Sequence, residues 1–114
     1  MHEKDQQNIL DIQESINKIL KYIEKTEKFE DFENNTLLTD AVLMNLIAIG
    51  ESVARPSEDF KNCNSHIEWV KIKGLRNIIA HDYFGIDIEE IWQIVQGKIP
   101  DLKKDIEEIL KKWV

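Results

Sequence analysis

Ser65-His66-Ile67-Glu68-Trp69-Val70-Lys71-Ile72-Lys73-Gly74-Leu75-Arg76-Asn77-Ile78-Ile79-Ala80-His81-Asp82-Tyr83-Phe84-Gly85-Ile86-Asp87 is the stretch around which the chain is organised. It opens on a Ser-x-x-Glu pattern, in which Ser65 can accept from the Glu68 amide while Glu68 reaches back to the Ser65 amide. A helix is therefore expected to start at about His66. Ile67, Val70, Leu75, Ile78 and Ile79 lie close to one face at helical spacing and are expected to be buried. Gly85 supplies a stop, because glycine takes the left-handed turn that ends many helices. Between start and stop stand Lys71, Lys73, Arg76, Asn77, His81 and Tyr83, a basic and titratable set within an acidic chain.

Helical geometry limits what this set can do. Residues three or four apart share a face, so Asn77 and His81 are neighbours. Arg76 and Tyr83, two turns apart, share another face. Arg76 and His81 are five apart and point roughly 140° away from each other. One straight helix does not aim both at one point. Either the long arginine swings round, the helix distorts near its end, or a second copy of the chain completes the site. His81 falls in the last turn, where the helix dipole favours a cation, and histidine is the side chain suited to moving protons near neutral pH.

Arg76-Asn77-Ile78-Ile79-Ala80-His81-Asp82-Tyr83 resembles the R-x-x-x-x-H-x-Y motif of the HEPN superfamily, specifically its HepT-like toxins. Trp69 and Gly74-Leu75 before the motif and Phe84-Gly85-Ile86-Asp87 after it agree with that family, and Ile49-Gly50-Glu51 resembles its Gly-Glu pair on an earlier helix. The resemblance implies an all-α fold, an up-and-down bundle of HEPN type, and an endoribonuclease that cuts RNA without a metal or other cofactor. By the same resemblance the chain is the toxin of a type VII-like toxin–antitoxin pair. Arg76 and His81 are then catalytic, with Asn77, Tyr83 and Glu51 in support. Tyr83 is then the target of AMP transfer by a cognate MntA-type minimal nucleotidyltransferase, the antitoxin.

The residues support the same chemistry on their own terms, against blander readings. Arg offers a fixed positive fork matched to phosphate, and would stabilise the extra charge of a phosphorane-like transition state. His81 would act as general acid or base while the neighbouring 2′-hydroxyl attacks. Asn77 would orient His81 or hold a phosphate oxygen, and Lys71 and Lys73 would guide the RNA backbone. Taken without the resemblance, an Arg and a His on a helix more often cap it or stand in solvent, Tyr83 closes a helix end, and Glu51 is a solvated carboxylate. Two other readings stay open: a HEPN-like module that binds a nucleotidyltransferase or a nucleotide without cutting RNA, and a purely structural dimeric bundle.

The rest of the chain bounds these readings. At 114 residues it is long enough for one core and is read as a single domain, residues 1–114. Fifteen basic against 22 acidic residues give a formal charge of −7, which argues against a broad nucleic-acid-binding surface but leaves room for a small basic site. Cys63 is the sole cysteine, so no internal disulfide or zinc cluster is possible and a reducing cytoplasm is the natural compartment. Met1 to Asp5 carries no apolar signal core. The run Ala41 to Ile49, interrupted by Asn45, falls short of the roughly 20 residues that span a bilayer, so no membrane partner is expected. No Gly-rich phosphate loop, Cys/His cluster or Gly-x-Ser-x-Gly turn is present.

A first helix is expected from about Asp5 to Glu24, with Ile9, Ile12, Ile16, Ile19 and Ile23 at alternating spacings of three and four. Phe29 and Phe32 read as core plugs in an acidic connector, Glu27 to Asn35. Asn35 or Thr36 caps a second helix through about Val53, apolar nearly all round, which Pro56 ends. A homodimer built partly on that helix is the preferred reading, and a monomer with one central helix satisfies the same pattern. Ser57 to Asn64 reads as a polar loop, and His66 and His2 as bland. Asp87 caps a further helix with Ile88, Ile91, Trp92 and Val95 inward, and Gly97 breaks it. Pro100 and Asp101 introduce a last helix, packed through Leu102, Ile106, Ile109, Leu110 and Trp113. The sum is four or five helices.

Overall fold

The isoleucine stripe of the first helix places the rest. In a computed structural model of the chain, which describes residues 3–113, α1 (Glu3–Ile23) buries Ile9, Ile12, Ile16 and Ile19 completely. Met1, His2 and Val114, and with them the readings of His2 and of the first two residues, lie outside the described residues. A short α2 (Phe29–Glu33) follows. It sends Phe32 into the core, 5.0 Å between ring centroids from Trp92. Then α3 (Thr36–Ala54) starts on Asn35, whose side chain accepts from the Leu38 amide. This cap satisfies one of the amides that a helix start leaves open.

Val42, Leu43, Leu46, Ile49 and Val53 of α3 are buried, and the helix packs against both α1 and α5 (Trp69–His81). It is central, as its composition requires. At 19 residues it is longer than the Ala41–Ile49 run, and by length and composition alone it could cross a membrane; half of that stretch is buried in the bundle. Leu37 and Met44 nevertheless stand exposed on it.

Ser57 to Asn64 is not a loop. It forms α4 (Glu58–Cys63), with Ser57 Oγ accepting from the Phe60 amide and Glu58 and Asp59 in the first turn. Phe60 is the reason the segment folds: it is buried and meets the rings of Trp69 and Trp113. Asp5 anchors the same turn from α1, accepting from Ser57 N at 2.9 Å and from Ser57 Oγ at 3.1 Å.

The Ser65–Glu68 capping box does not form. Ser65 and His66 lie in a turn, and the cap position of α5 is Glu68, whose side chain makes no capping bond. Ile67 and Trp69 are both buried, yet residues two apart diverge by roughly 200° on a helix, so the backbone between them has to be non-helical. The turn is held by the Ile67 amide and the Trp69 indole, both donating to Asn64 O. Glu68 turns outward instead, 2.8 Å from Lys71 Nζ and 3.3 Å from Lys98 Nζ. Hydrogen bonds to these two lysines, then their charge, hold its carboxyl below the usual carboxylate range. The contribution of this exposed cluster is present above the unfolded-state pKa of Glu68 and fades as pH falls through its lower folded value.

Only part of the expected apolar face of α5 is buried. Ile72, Leu75 and Ile79 pack inward, while Val70 and Ile78 are exposed. The inward stripe is Ile72, Leu75, Arg76 and Ile79, at spacings of three, one and three, so the arginine occupies a position facing α3. Gly50 makes room for it. A Cβ at Gly50 would lie 2.7 Å from Arg76 Cγ and 3.4 Å from Arg76 Cα. The two helices touch backbone to side-chain stem at this point.

Beyond His81 the helix stops at Asp82 (φ −142°, ψ 57°), and Tyr83–Gly85 form a 3-10 turn. Gly85 is not left-handed; no glycine among the described residues has positive φ. The Asp82 carboxylate fills the space a Cβ would take there, with Cγ 2.7 Å from that point, so a side chain at this position would turn the carboxylate aside. Asp87 then caps α6 (Ile88–Gln93), accepting from the amides of Glu89 and Glu90.

Gly97 does not break the helix. Helix α6 runs through one wide π turn, Ile94–Lys98, straight into α7 (Ile99–Lys111). The Ile99 amide bonds to Ile94 O, five residues back. Pro100 explains the widening: it has no N–H to donate, and its ring would crowd the carbonyl four residues earlier. Ile91, Val95, Ile99, Leu102, Ile106 and Ile109 form one buried stripe along this helix. The result is the expected all-α bundle: three long helices, a fourth made of α6 and α7 end to end, and the short α2 and α4.

Two glycine substitutions test this geometry with opposite signs. Nothing lies within 4 Å of a Cβ at Gly97, so Gly97→Ala should raise stability by about 0.5–1 kcal/mol. Gly50→Ala forces the stem of Arg76 aside and should lower stability by about 1–3 kcal/mol. Urea denaturation of both variants measures the pair; a loss on Gly97→Ala would contradict the uninterrupted last helix.

Candidate active site

Because Arg76 sits on the inward stripe of α5, its stem is covered by α3 and only its tip reaches solvent; the side chain is 33% exposed. The tip is held on two sides. One terminal nitrogen (Nη2) lies 3.6 Å from Glu51 Oε1 on α3, and the other (Nη1) donates to Asn77 Oδ1 at 3.0 Å. Glu51 also lies 3.9 Å from Arg55 one turn on. Nε of Arg76 is buried and makes no hydrogen bond. The anchoring is therefore all at the outer edge of the guanidinium. Such partly exposed pairs contribute little to stability after solvent screening, so their effect is one of placement.

The bond to Asn77 turns the arginine tip along its own helix. Arg76 swings round its helix toward the next residue, and Asn77 and His81 are exposed one turn apart on a shared face. Asn77 thus links the arginine to the histidine's side of α5. No hydrogen bond or ion pair joins Arg76 directly to His81 among the described residues. His81 is the last residue of α5 and is open to solvent. The site runs from the middle of α5 at Arg76 to its last residue, His81. Shallow hollows lined by Leu10, Gln13 and Lys21, or by Lys4 and Arg55, lie along α1, and Arg76, Asn77 and His81 line none of them.

Tyr83 is not on the face of Arg76, because Asp82 leaves the helical conformation before it. Its ring stands edge-on to Phe84 at 5.4 Å, and its hydroxyl donates to Asp40 Oδ1 on α3. Tyr83 remains 42% exposed and Phe84 99% exposed. Asp40 is the residue that sequence reasoning missed, and a signal for it exists. It lies eleven residues before Glu51, three helical turns, so both carboxylates share one face of α3. One meets Arg76 and the other Tyr83.

Lys71 is paired with Glu68, Lys73 is exposed, and His66 lies 3.8 Å from Asp105 on α7, away from this end of α5. Among the described residues no cluster of three or more His, Cys, Asp or Glu side chains is arranged to hold a metal ion.

Comparison with known proteins bears on what such an arrangement does. The family model described as "Ribonuclease HepT-like" matches residues 12–109. A protein of Methanocaldococcus jannaschii, provisionally named an RNase, is 35% identical over 99 residues, 87% of this chain and 90% of its own length. A protein of Caldanaerobacter subterraneus subsp. tengcongensis, also provisionally named an RNase, is 38% identical over 84 residues, 74% of this chain and 75% of its own. A third, of Thermococcus cleftensis, provisionally named a ribonuclease HepT, is 35% identical over 83 residues, 73% of this chain and 76% of its own. No solved structure matches significantly. With a family model spanning most of the bundle and relatives aligned over most of both lengths, the chain belongs to the HepT-like family of HEPN-type ribonucleases.

Proposed function

We propose that the chain is a metal-independent RNA endonuclease, the toxin of a type VII-like toxin–antitoxin module in the cytoplasm, with Arg76 and His81 as its catalytic residues. The observation that carries this is the reach of the Arg76 guanidinium to Asn77, on the face of α5 that His81 shares. A phosphate resting against that face would be met by a delocalised cation and an amide, with an imidazole one turn away. Arg76 would stabilise the additional negative charge as the 2′-hydroxyl attacks phosphorus. His81 would take the hydroxyl proton or protonate the leaving oxygen. No cofactor is required for either step.

A homodimer completes the scheme. Exposed side chains on one helix face hold a substrate poorly by themselves, and two copies meeting at a twofold axis would form a crevice carrying two histidines, one for each proton transfer. The exposed Leu37 and Met44 on α3, Val70 and Ile78 on α5 and Phe84 after it are among the apolar residues available for that contact. Tyr83 is the off-switch. AMP transferred to its hydroxyl by a cognate MntA-type nucleotidyltransferase would add phosphate charge and bulk just beyond His81 at the end of α5, repelling RNA from the site.

Purified protein should cleave RNA in the presence of a chelator. Arg76→Ala and His81→Ala should each reduce the rate by about a hundredfold or more while circular dichroism and sedimentation stay as in the wild type. Wild-type rates in either variant would refute the assignment. Mass spectrometry after incubation with the proposed antitoxin and ATP should find AMP on Tyr83; modification elsewhere alone would remove the switch from the scheme.

A further inference from the structure

We propose that Asp40 is the proton acceptor that activates the Tyr83 hydroxyl for AMP transfer, so that this chain supplies part of the chemistry of its own inactivation. The inference rests on the reading of Tyr83 as the modified residue and adds a group that the motif does not contain.

The observation is the hydrogen bond from Tyr83 Oη to Asp40 Oδ1, made across 43 residues between the turn after α5 and the first half of α3. Asp40 has no capping duty, since Asn35 caps α3. A carboxylate on an exposed helix face ordinarily points into water. Here one oxygen meets a phenol whose ring lies 5.4 Å from that of Phe84, centroid to centroid. The phenol is still 42% exposed, so its oxygen can be approached from solvent while the carboxylate holds its proton. A phenol has an ordinary pKa of about 10 and is a weak nucleophile at neutral pH, and an adjacent base is the general remedy. The charged groups nearest along the chain are His81 and Asp82 at the end of α5, and the bond goes to neither of them.

The step balances without further reagents beyond ATP. A lone pair of Tyr83 Oη attacks the α-phosphorus of ATP bound by the transferase, and the Oη–P bond forms. The hydroxyl proton passes to Asp40, leaving its electron pair on the tyrosine oxygen. The bond from the α-phosphorus to the oxygen bridging toward the β-phosphorus breaks, and pyrophosphate leaves with that pair. Asp40 then returns the proton to water. The product cannot donate to Asp40, so modification also releases the tie between the turn and α3.

Asp40→Asn tests the idea, because the amide keeps the shape and can still accept the phenol's hydrogen bond but cannot take its proton. Wild type, Asp40→Asn and Asp40→Glu are each incubated with the proposed antitoxin and ATP labelled on the α-phosphate, and kcat and KM for the chain as substrate are measured. Asp40→Asn should lower kcat by about a hundredfold with KM unchanged, and Asp40→Glu should retain most of the rate. The circular dichroism, thermal unfolding and sedimentation of Asp40→Asn should match the wild type, which shows that the bundle is intact. A kcat near wild type in Asp40→Asn overturns the inference, and so does a change in KM alone, which would make Asp40 a docking residue. Absence of any modification of the wild type would instead remove the switch itself, and this inference with it.

Discussion

The missing side chain at Gly50 is the constraint on which the working end of this molecule depends. With no Cβ there, α5 settles onto α3 until the stem of Arg76 rests where that Cβ would be. That closeness makes the arginine one of four inward-facing residues of its helix, beside Ile72, Leu75 and Ile79. Placing a guanidinium against a packed helix costs desolvation, and burying an unpaired charge costs far more than burying a paired one. The chain answers with Glu51 on one side and Asn77 on the other, and leaves Nε unmatched. The arginine is consequently fixed at its stem and steered at its tip.

Helix α3 is thereby the frame of reference for the whole site. Asp40 and Glu51, three turns apart on one face, hold the turn after α5 and the middle of α5 respectively. Along the same length the helix also packs against α1. The opposite end of the bundle is held by different means, where Asp5 of α1 fastens the start of α4 and Phe60 gathers Trp69 and Trp113. Each end is secured by a carboxylate reaching across the sequence, and the apolar stripes fill the length between.

How far this was legible in the sequence depended on whether one residue sufficed to decide the outcome. Periodic isoleucines decided α1, and Asn35 and Asp87 decided two helix starts. The capping box at Ser65 failed because two buried side chains, Ile67 and Trp69, outweighed a local pair of hydrogen bonds. Apolar spacing alone points Val70 and Ile78 inward, whereas Gly50, on another helix, turns Arg76 inward and leaves both exposed. Gly97 and Pro100 read separately as a break and a start; together they make one wide turn. The motif from Arg76 to Tyr83 is visible, but its partners Glu51 and Asp40 are fixed by the crossing of α3 and α5; Glu51 stands in a Gly-Glu pair, and Asp40 shows only through its eleven-residue spacing from Glu51.

The acidity of the chain and its one arginine-centred site also fit together physically. A net charge of −7 repels a polyanion at long range, so RNA cannot be gathered by a general field as it is by basic nucleic-acid-binding proteins. On the proposed function, binding would rest on few phosphate contacts, releasing few counterions and depending only weakly on salt. Glu51 sharpens this further. It occupies one edge of the guanidinium at 3.6 Å, so an incoming phosphate must compete with a carboxylate for the same fork. A loosely held phosphodiester would lose that competition, and one clamped from two sides by paired protomers would win it. On the proposed function, the same residues that keep Arg76 in position would make a single protomer a poor trap for RNA and would place the burden of selectivity on assembly.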